Sequence, residues 1–134
     1  MKSRTKVIIV LAVLLLLILA FFGVRFLRSF QEYRDGVASI AFDRADASGL
    51  PDGVYVGAHD VGLVSAKVEV TVQNGAIASI VILDHNHGRG AAAEKIIDEI
   101  LAQQKIDVDT ITGATNSSLV LQKAVDNALS SAQQ

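Results

Sequence analysis

An unbroken run of uncharged, mostly apolar residues near the start of the chain constrains its fold more than any other feature. The run covers residues 7–24, which is 18 residues. With ~1.5 Å rise per residue, an α-helix of this length reaches about 27 Å, close to the ~30 Å hydrocarbon core of a bilayer. We therefore predict a transmembrane anchor over residues 1–28. A cleaved signal peptide is the alternative, although bulky Phe21, Phe22 and Phe26 stand where cleavage needs small residues.

Charge divides the chain into two parts. Residues 1–35 contain six Lys or Arg against two Asp or Glu, whereas residues 36–134 contain six against twelve. Nucleic-acid binding needs clustered cations to neutralise phosphates, so no nucleic-acid partner is expected for the acidic part. The absence of Cys excludes disulfides, Cys-ligated zinc or iron–sulfur sites and a lipid-anchored lipoprotein.

The orientation of the anchor is nearly balanced by charge, because three cations precede the apolar run and three follow it. Five of the seven aromatic residues lie at or just beyond its C-terminal end, where rings favour the membrane interface; these are Phe21, Phe22, Phe26, Phe30 and Tyr33. We expect a single-pass protein of the cell membrane, with its N-terminus inside and its C-terminal domain extracytoplasmic.

Residues 29–51 are predicted to form a juxtamembrane helix or linker, and residues 52–134 a folded domain. Within this domain, apolar and polar residues alternate strictly over 64–73, which predicts a strand with one face in a core and one in water. The pair Asn74-Gly75 is typical of a type I′ hairpin turn, so residues 77–83 are predicted to form an antiparallel neighbour.

Further elements complete an α+β domain, in which a small antiparallel sheet has helices packed on it. Short strands are predicted near residues 54–58 and over residues 106–111, and helices over 91–104 and 117–131. Residues 80–83 are apolar without alternation, so we expect the second hairpin strand to be covered on both faces.

Glycines after this strand match a dinucleotide-binding pattern, Gly-x-Gly-x-x-Ala over residues 88–93. The parallel sheet that such a site needs does not fit, because the preceding strand belongs to a hairpin and too few residues follow. A flexible turn leading into a helix is the better interpretation.

Two histidines precede these glycines. His85 and His87 would point to the same side of a continuing strand, which suits two metal ligands. Two ligands do not make a site, and His59 is the only other His or Cys in the sequence. We therefore predict no metal site, and we place both histidines at the rim of a cofactor pocket.

The segment Asp109–Ser118 contains five hydroxyl residues in ten positions, and it lies between a predicted strand and a helix. A helix N-terminus has unpaired backbone N–H groups and a positive dipole end, which attract an anion such as phosphate. Helix capping is the alternative role for these Thr, Asn and Ser residues, and it accounts for one or two of them.

The sequence Asp-Thr-Ile-Thr-Gly-Ala-Thr over residues 109–115 resembles the flavinylation motif of FMN-binding domains. The order of the strand near residue 54, the hairpin and the turn before the first helix is also similar to compact members of that family. These domains occur in subunits of sodium-translocating NADH:quinone oxidoreductases and ferredoxin-linked relatives, and as small anchored extracytoplasmic proteins.

The resemblance implies FMN bound through a phosphoester to the Thr115 hydroxyl, in a turn formed by Thr112, Gly113 and Ala114. It makes Asp109 the acidic residue of the motif, and Asn116 occupies a position where many members have Ser or Thr. Tyr55 is the aromatic residue expected against the flavin ring, with Phe42 as the other candidate.

The resulting hypothesis is a membrane-anchored flavoprotein electron carrier with no catalytic residues of its own. Its partners would be a flavin transferase for maturation and redox proteins or a quinone-linked reductase. Two alternatives stay open, namely an anchored ligand-binding or structural module without flavin, and a noncovalent FMN-binding reductase.

Overall fold

The computed structural model describes residues 2–134 and divides the chain into two compact units that meet between Glu32 and Tyr33. Helix α1, Lys2–Ala38, makes up the first unit and continues into the second. It is long and apolar enough to cross a membrane, a test that an N-terminal signal sequence also passes. None of its residues is buried within the protein.

The second unit is built on an antiparallel sheet of three strands in the order β1-β2-β3. The strands are β1 Gly53–Asp60, β2 Ser65–Gln73 and β3 Ala76–Asn86. A 3-10 helix, Ala91–Lys95, leads directly into α2, Ile96–Gln103, and α3 spans Thr115–Ser131. The predicted α+β class is confirmed, since α3 packs on β1 and β2 and α2 packs on β3.

The hairpin of β2 and β3 has the predicted turn. Asn74 and Gly75 both have positive φ, 52° and 73°, as a type I′ turn requires. The apolar residues of β2 all point into the core: Ala66 is 3% exposed, and Val68, Val70 and Val72 are fully buried. The alternation in the sequence therefore gave the correct buried face.

Helix α3 lies directly on β1 at Gly57. A Cβ atom on Gly57 would overlap the backbone of Ala124 and Ala128. A glycine in a strand often marks such a close backbone approach, so Gly57 allows α3 to cross the sheet at this distance.

The prediction that β3 is covered on both faces is wrong. Ile80 is buried, but Val81 and Leu83 are 49% and 48% exposed. Helix α3 packs on β1 and β2 and helix α2 on β3, on the face that carries the buried residues of β2. Val81 lies opposite Glu69 on the other face, which also exposes Val56 of β1.

The predicted strand over residues 106–111 is also wrong. The segment has no ladder partner, although Ile106 and Val108 are buried. The buried Gln122 amide of α3 donates hydrogen bonds to both of their carbonyls, at 3.0 and 2.8 Å, and the Ile106 amide donates to the Ala45 carbonyl. A side-chain amide and a neighbouring loop thus provide the partners that the sheet was expected to provide.

The loop between α1 and β1 is held against α3 by a buried carboxylate. Asp126 accepts backbone hydrogen bonds from Asp43 and Arg44, both at 2.9 Å, and it contacts the Lys123 ammonium at 2.7 Å. Ala47 and Leu50, within the predicted linker of residues 29–51, belong to the core of this unit. The domain limits drawn from the sequence stay a prediction.

Candidate functional site

A tight turn precedes α3 and holds the threonine-rich motif in place. The Ala114 amide donates to the Ile111 carbonyl at 2.9 Å, and Gly113 has φ +81°, a conformation that favours glycine. The buried Ser118 hydroxyl donates to the Ala114 carbonyl and accepts from the Ile111 amide. These bonds fix the backbone just before Thr115, the first residue of α3.

The N-terminus of α3 has no side-chain cap. Its N-cap residue is Ala114, and in the described part of the chain no acceptor faces the backbone amides of residues 115–117. The alternative in which the hydroxyl residues serve as the helix cap is therefore wrong. Unpaired amides and the positive end of the helix dipole favour an anion at this position.

The turn after β3 approaches this helix end at Gly90. The Gly90 amide donates to the His87 carbonyl at 2.8 Å, and a Cβ atom on Gly90 would overlap the buried Ser117 hydroxyl. Only glycine lets the two segments meet this closely. The contact brings His87 and Arg89 to the same place as the motif.

A cavity of about 460 Å³ lies where these segments meet. Its lining combines the start of α3 with the turn after β3, one aromatic residue and one aliphatic residue; the lining residues are Tyr33, Val64, His87, Arg89, Gly90, Gly113, Ala114, Thr115, Asn116 and Ser117. Thr115 and Asn116 are exposed, and the Asn116 amide donates to the Tyr33 hydroxyl at 2.8 Å. The volume lies within the range of small-molecule sites, ~300–1,000 Å³.

The cavity brings together five residues predicted as cofactor-binding, namely His87, Gly113, Ala114, Thr115 and Asn116. Asp109 and Thr112 line a separate depression of about 430 Å³ together with residues of α2. The two groups of motif residues therefore face different sides of the turn.

His85 and Tyr55 do not line the cavity. The ring centroid of His85 lies 4.7 Å from that of His87, and its Nδ1 atom lies 3.1 Å from Glu94 Oε1. The Tyr55 hydroxyl donates to the Pro51 carbonyl at 2.8 Å. The aromatic residue beside the motif is Tyr33.

The cofactor-binding residues predicted from the sequence do not include five of the lining residues, Tyr33, Val64, Arg89, Gly90 and Ser117. Tyr33 was assigned to the aromatic group at the membrane interface. Arg89 lies between the two glycines of the dinucleotide-binding pattern. The chain has no dinucleotide-binding fold, but these glycines do mark a place where the backbone comes close to α3. The sequence marks Val64 only as an apolar residue of the alternating strand and Ser117 only as one of several hydroxyl residues, and neither pattern indicates a cofactor site.

The chemistry of these groups suits a phosphate attached to an aromatic ring system. The three backbone amides of residues 115–117, which have no acceptor within residues 2–134, and the guanidinium group of Arg89 match a phosphate, because charge-assisted hydrogen bonds to phosphate are strong. Tyr33 and Val64 provide an aromatic and an apolar surface, and Gly90 leaves space that a side chain would fill. These groups together fit a phosphorylated aromatic cofactor.

Comparison with known families identifies this cofactor. The sequence model of the FMN-binding domain family matches residues 64–130, half of the chain, and this range includes β2, β3 and the whole motif before α3. The chain belongs to the FMN-binding domain family, and its cofactor is FMN. No curated protein matches the chain.

Proposed function

We propose that the protein is a membrane-anchored, extracytoplasmic electron carrier in which FMN is joined by a phosphoester to Thr115. The observation that carries the proposal is the position of the Thr115 hydroxyl. It is exposed at the cavity, on the first residue of a helix whose amides have no other acceptor in the described residues. A phosphate on this oxygen would lie at the positive end of the helix dipole.

The attachment needs an enzyme and an activated donor. In a flavin donor whose phosphate is part of a pyrophosphate, Thr115 Oγ1 forms a bond to the phosphorus next to riboflavin. The pyrophosphate bond breaks, the nucleoside monophosphate leaves, and the hydroxyl proton passes to a base. The exposure of Thr115 supports access by a flavin transferase, which we name as the maturation partner.

Electron transfer follows from the cofactor. FMN supplies one- and two-electron transfer at its ring, and the protein binds and orients it. Tyr33 and Val64 are the residues that would hold the ring, while Arg89 and the α3 amides hold the phosphate. A covalent link keeps the cofactor in place outside the cell, where no flavin pool replaces a lost molecule. Redox proteins or a quinone-linked reductase are the proposed electron partners.

The test is intact mass spectrometry of the full chain, extracted in detergent from cells that also produce a flavin transferase. We expect an increase equal to the mass of FMN less one water, and flavin fluorescence that survives denaturing electrophoresis. Thr115→Ala should lose both signals, whereas Thr115→Ser should keep them. Thr110→Ala is the matched control, because Thr110 lines the other depression and is not one of the residues predicted to bind the cofactor.

A noncovalent FMN site is the second candidate, because Tyr33, Val64, Arg89 and the α3 amides would hold FMN in the cavity without a covalent bond. Yellow native protein with an unmodified mass would support this candidate. Covalent flavin that persists in Thr115→Ala would contradict the attachment site.

A further inference from the structure

Next to the FMN cavity, the structure brings a third metal-ligating group to the two histidines of the β3 turn. Glu94 lies in the 3-10 helix nine residues after His85, and its Oε1 atom is 3.1 Å from His85 Nδ1. One potential ligand atom from each of His85, His87 and Glu94 lies within 4.8 Å of the other two. The sequence argument against a metal site rested on the lack of such a third ligand.

His85 carries a buried nitrogen without a partner. Its side chain is only 2% exposed, and its Nε2 atom has no hydrogen-bond partner in the described residues. A buried polar atom in this state costs free energy unless a partner is supplied. Neutral imidazole nitrogen is a preferred ligand of zinc and of other divalent transition metals.

The surroundings of His87 and Glu94 also suit metal binding. His87 Nδ1 lies 3.2 Å from the Gly88 carbonyl, and an N–H that donates to a carbonyl leaves the lone pair on Nε2. Metal-bound histidines commonly have such a partner on the second nitrogen. The Glu94 side chain is 48% exposed, which gives an ion access from solvent.

We propose that His85, His87 and Glu94 bind one divalent transition-metal cation at the rim of the FMN cavity. Two histidines and one carboxylate form an open ligand set, which leaves coordination positions for water or another ligand. Because His87 also lines the cavity, the cation adds positive charge beside the phosphate-binding amides. The ion also ties the end of β3 to the 3-10 helix.

The test is calorimetric titration with Zn²⁺ of the full chain in detergent, without a polyhistidine tag, after treatment with a chelator. One ion per chain is expected. Loss of even an outer contact of a metal site typically costs about 10- to 100-fold in affinity, so Glu94→Gln should weaken binding by at least about 10-fold. His87→Ala should do the same. Glu99→Gln is the matched control, because Glu99 is exposed on α2 and its carboxylate accepts a hydrogen bond from the exposed Gln103 side chain.

A second readout separates binding from folding. Zn²⁺ should raise the unfolding temperature of the parent chain and of Glu99→Gln, but not that of Glu94→Gln, because a ligand stabilises only the state that binds it. Co²⁺ should give visible absorption bands in the flavin-free parent that are absent in Glu94→Gln. Absence of binding to the parent, or an affinity of Glu94→Gln and His87→Ala equal to that of the parent, would overturn the proposal.

The experiment tests the metal site and the covalent flavin site independently of each other. The titration is run on chain produced with and without the transferase, and one ion per chain is expected in both. Flavinylated chain without metal binding would overturn only the metal site. Metal binding by chain that never receives flavin would overturn only the covalent attachment.

Discussion

Gly90 is the residue at which a single added methyl group should damage the FMN site most directly. Its Cβ would overlap the Ser117 hydroxyl, so Gly90→Ala forces the β3 turn away from α3. We expect far less flavin per chain, measured as the ratio of flavin absorbance to protein, with circular dichroism unchanged. Ser117→Gly in the same chain should restore part of the loading, because it removes the overlapping atoms. Parental loading in Gly90→Ala would show that the close contact is unimportant.

His59 should make the domain sensitive to acid. Burial lowers the pKa of His59, Lys123 lowers it further, and Asp60 opposes both. The unfolded chain binds the proton near the ordinary value of about 6.5, and the folded domain does so only at lower pH. The free energy of unfolding is therefore unaffected by His59 above that pH and decreases as the pH falls below it.

The check is the urea midpoint of the detergent-solubilised chain at a series of pH values, followed by circular dichroism. The urea midpoint of His59→Asn should decrease less steeply than that of the parent as the pH falls below about 6.5. Parallel declines in the two proteins would assign the acid sensitivity to carboxylates elsewhere.

At the scale of elements, the segment before the motif depends on one side chain of α3. Gln122→Leu would leave the buried Val108 carbonyl without its donor and the Ile106 carbonyl with only the Val108 amide, at a cost of roughly 1–3 kcal/mol for the unsatisfied group. We expect a lower urea midpoint and less flavin attached at Thr115, because the same segment continues into the motif turn. Gln103→Leu is the control, since Gln103 is exposed and bonds Glu99. Equal losses in both variants would contradict this role.

Residues 106–111 also show which features of the fold cannot be predicted from the sequence. The strand β2 and the Asn74-Gly75 turn follow from local patterns, because alternation and positive φ are properties of neighbouring residues. The 106–111 segment looks like a strand locally, but Gln122, a distant side chain, binds its carbonyls. Local pattern cannot reveal such a partner.

The functional site also combines residues that the sequence reveals with residues that only the folded chain brings to it. The end of α3 proposed to bind the phosphate is visible in the sequence as a threonine- and glycine-containing turn before a helix. Arg89 and Tyr33 reach that end only through the folded chain, from the turn after β3 and from the end of α1. Glu94 likewise joins the two histidines only because the 3-10 helix folds back toward β3.

For the whole molecule, the proposed membrane anchor would hold the domain on one side of the membrane, and that side would determine which partners the domain meets. Three cations stand on each side of the apolar run, at Lys2, Arg4 and Lys6 and at Arg25, Arg28 and Arg34, so the positive-inside rule decides little. Covalent retention of the flavin has its clearest benefit outside the cell. We therefore expect the N-terminus inside and the domain outside.

Introduced single cysteines can test this orientation without background labelling, because the natural sequence contains no Cys. Ser3→Cys places a thiol before the apolar run, and Gln133→Cys places one at an exposed position after α3. A membrane-impermeant maleimide added to intact cells should label Gln133→Cys at once, and Ser3→Cys only after permeabilisation. The opposite pattern would put the domain inside, where a soluble flavin pool exists and the retention argument for the Thr115 ester no longer applies. Loss of residue 3 from the mature chain would instead identify the apolar run as a cleaved signal peptide.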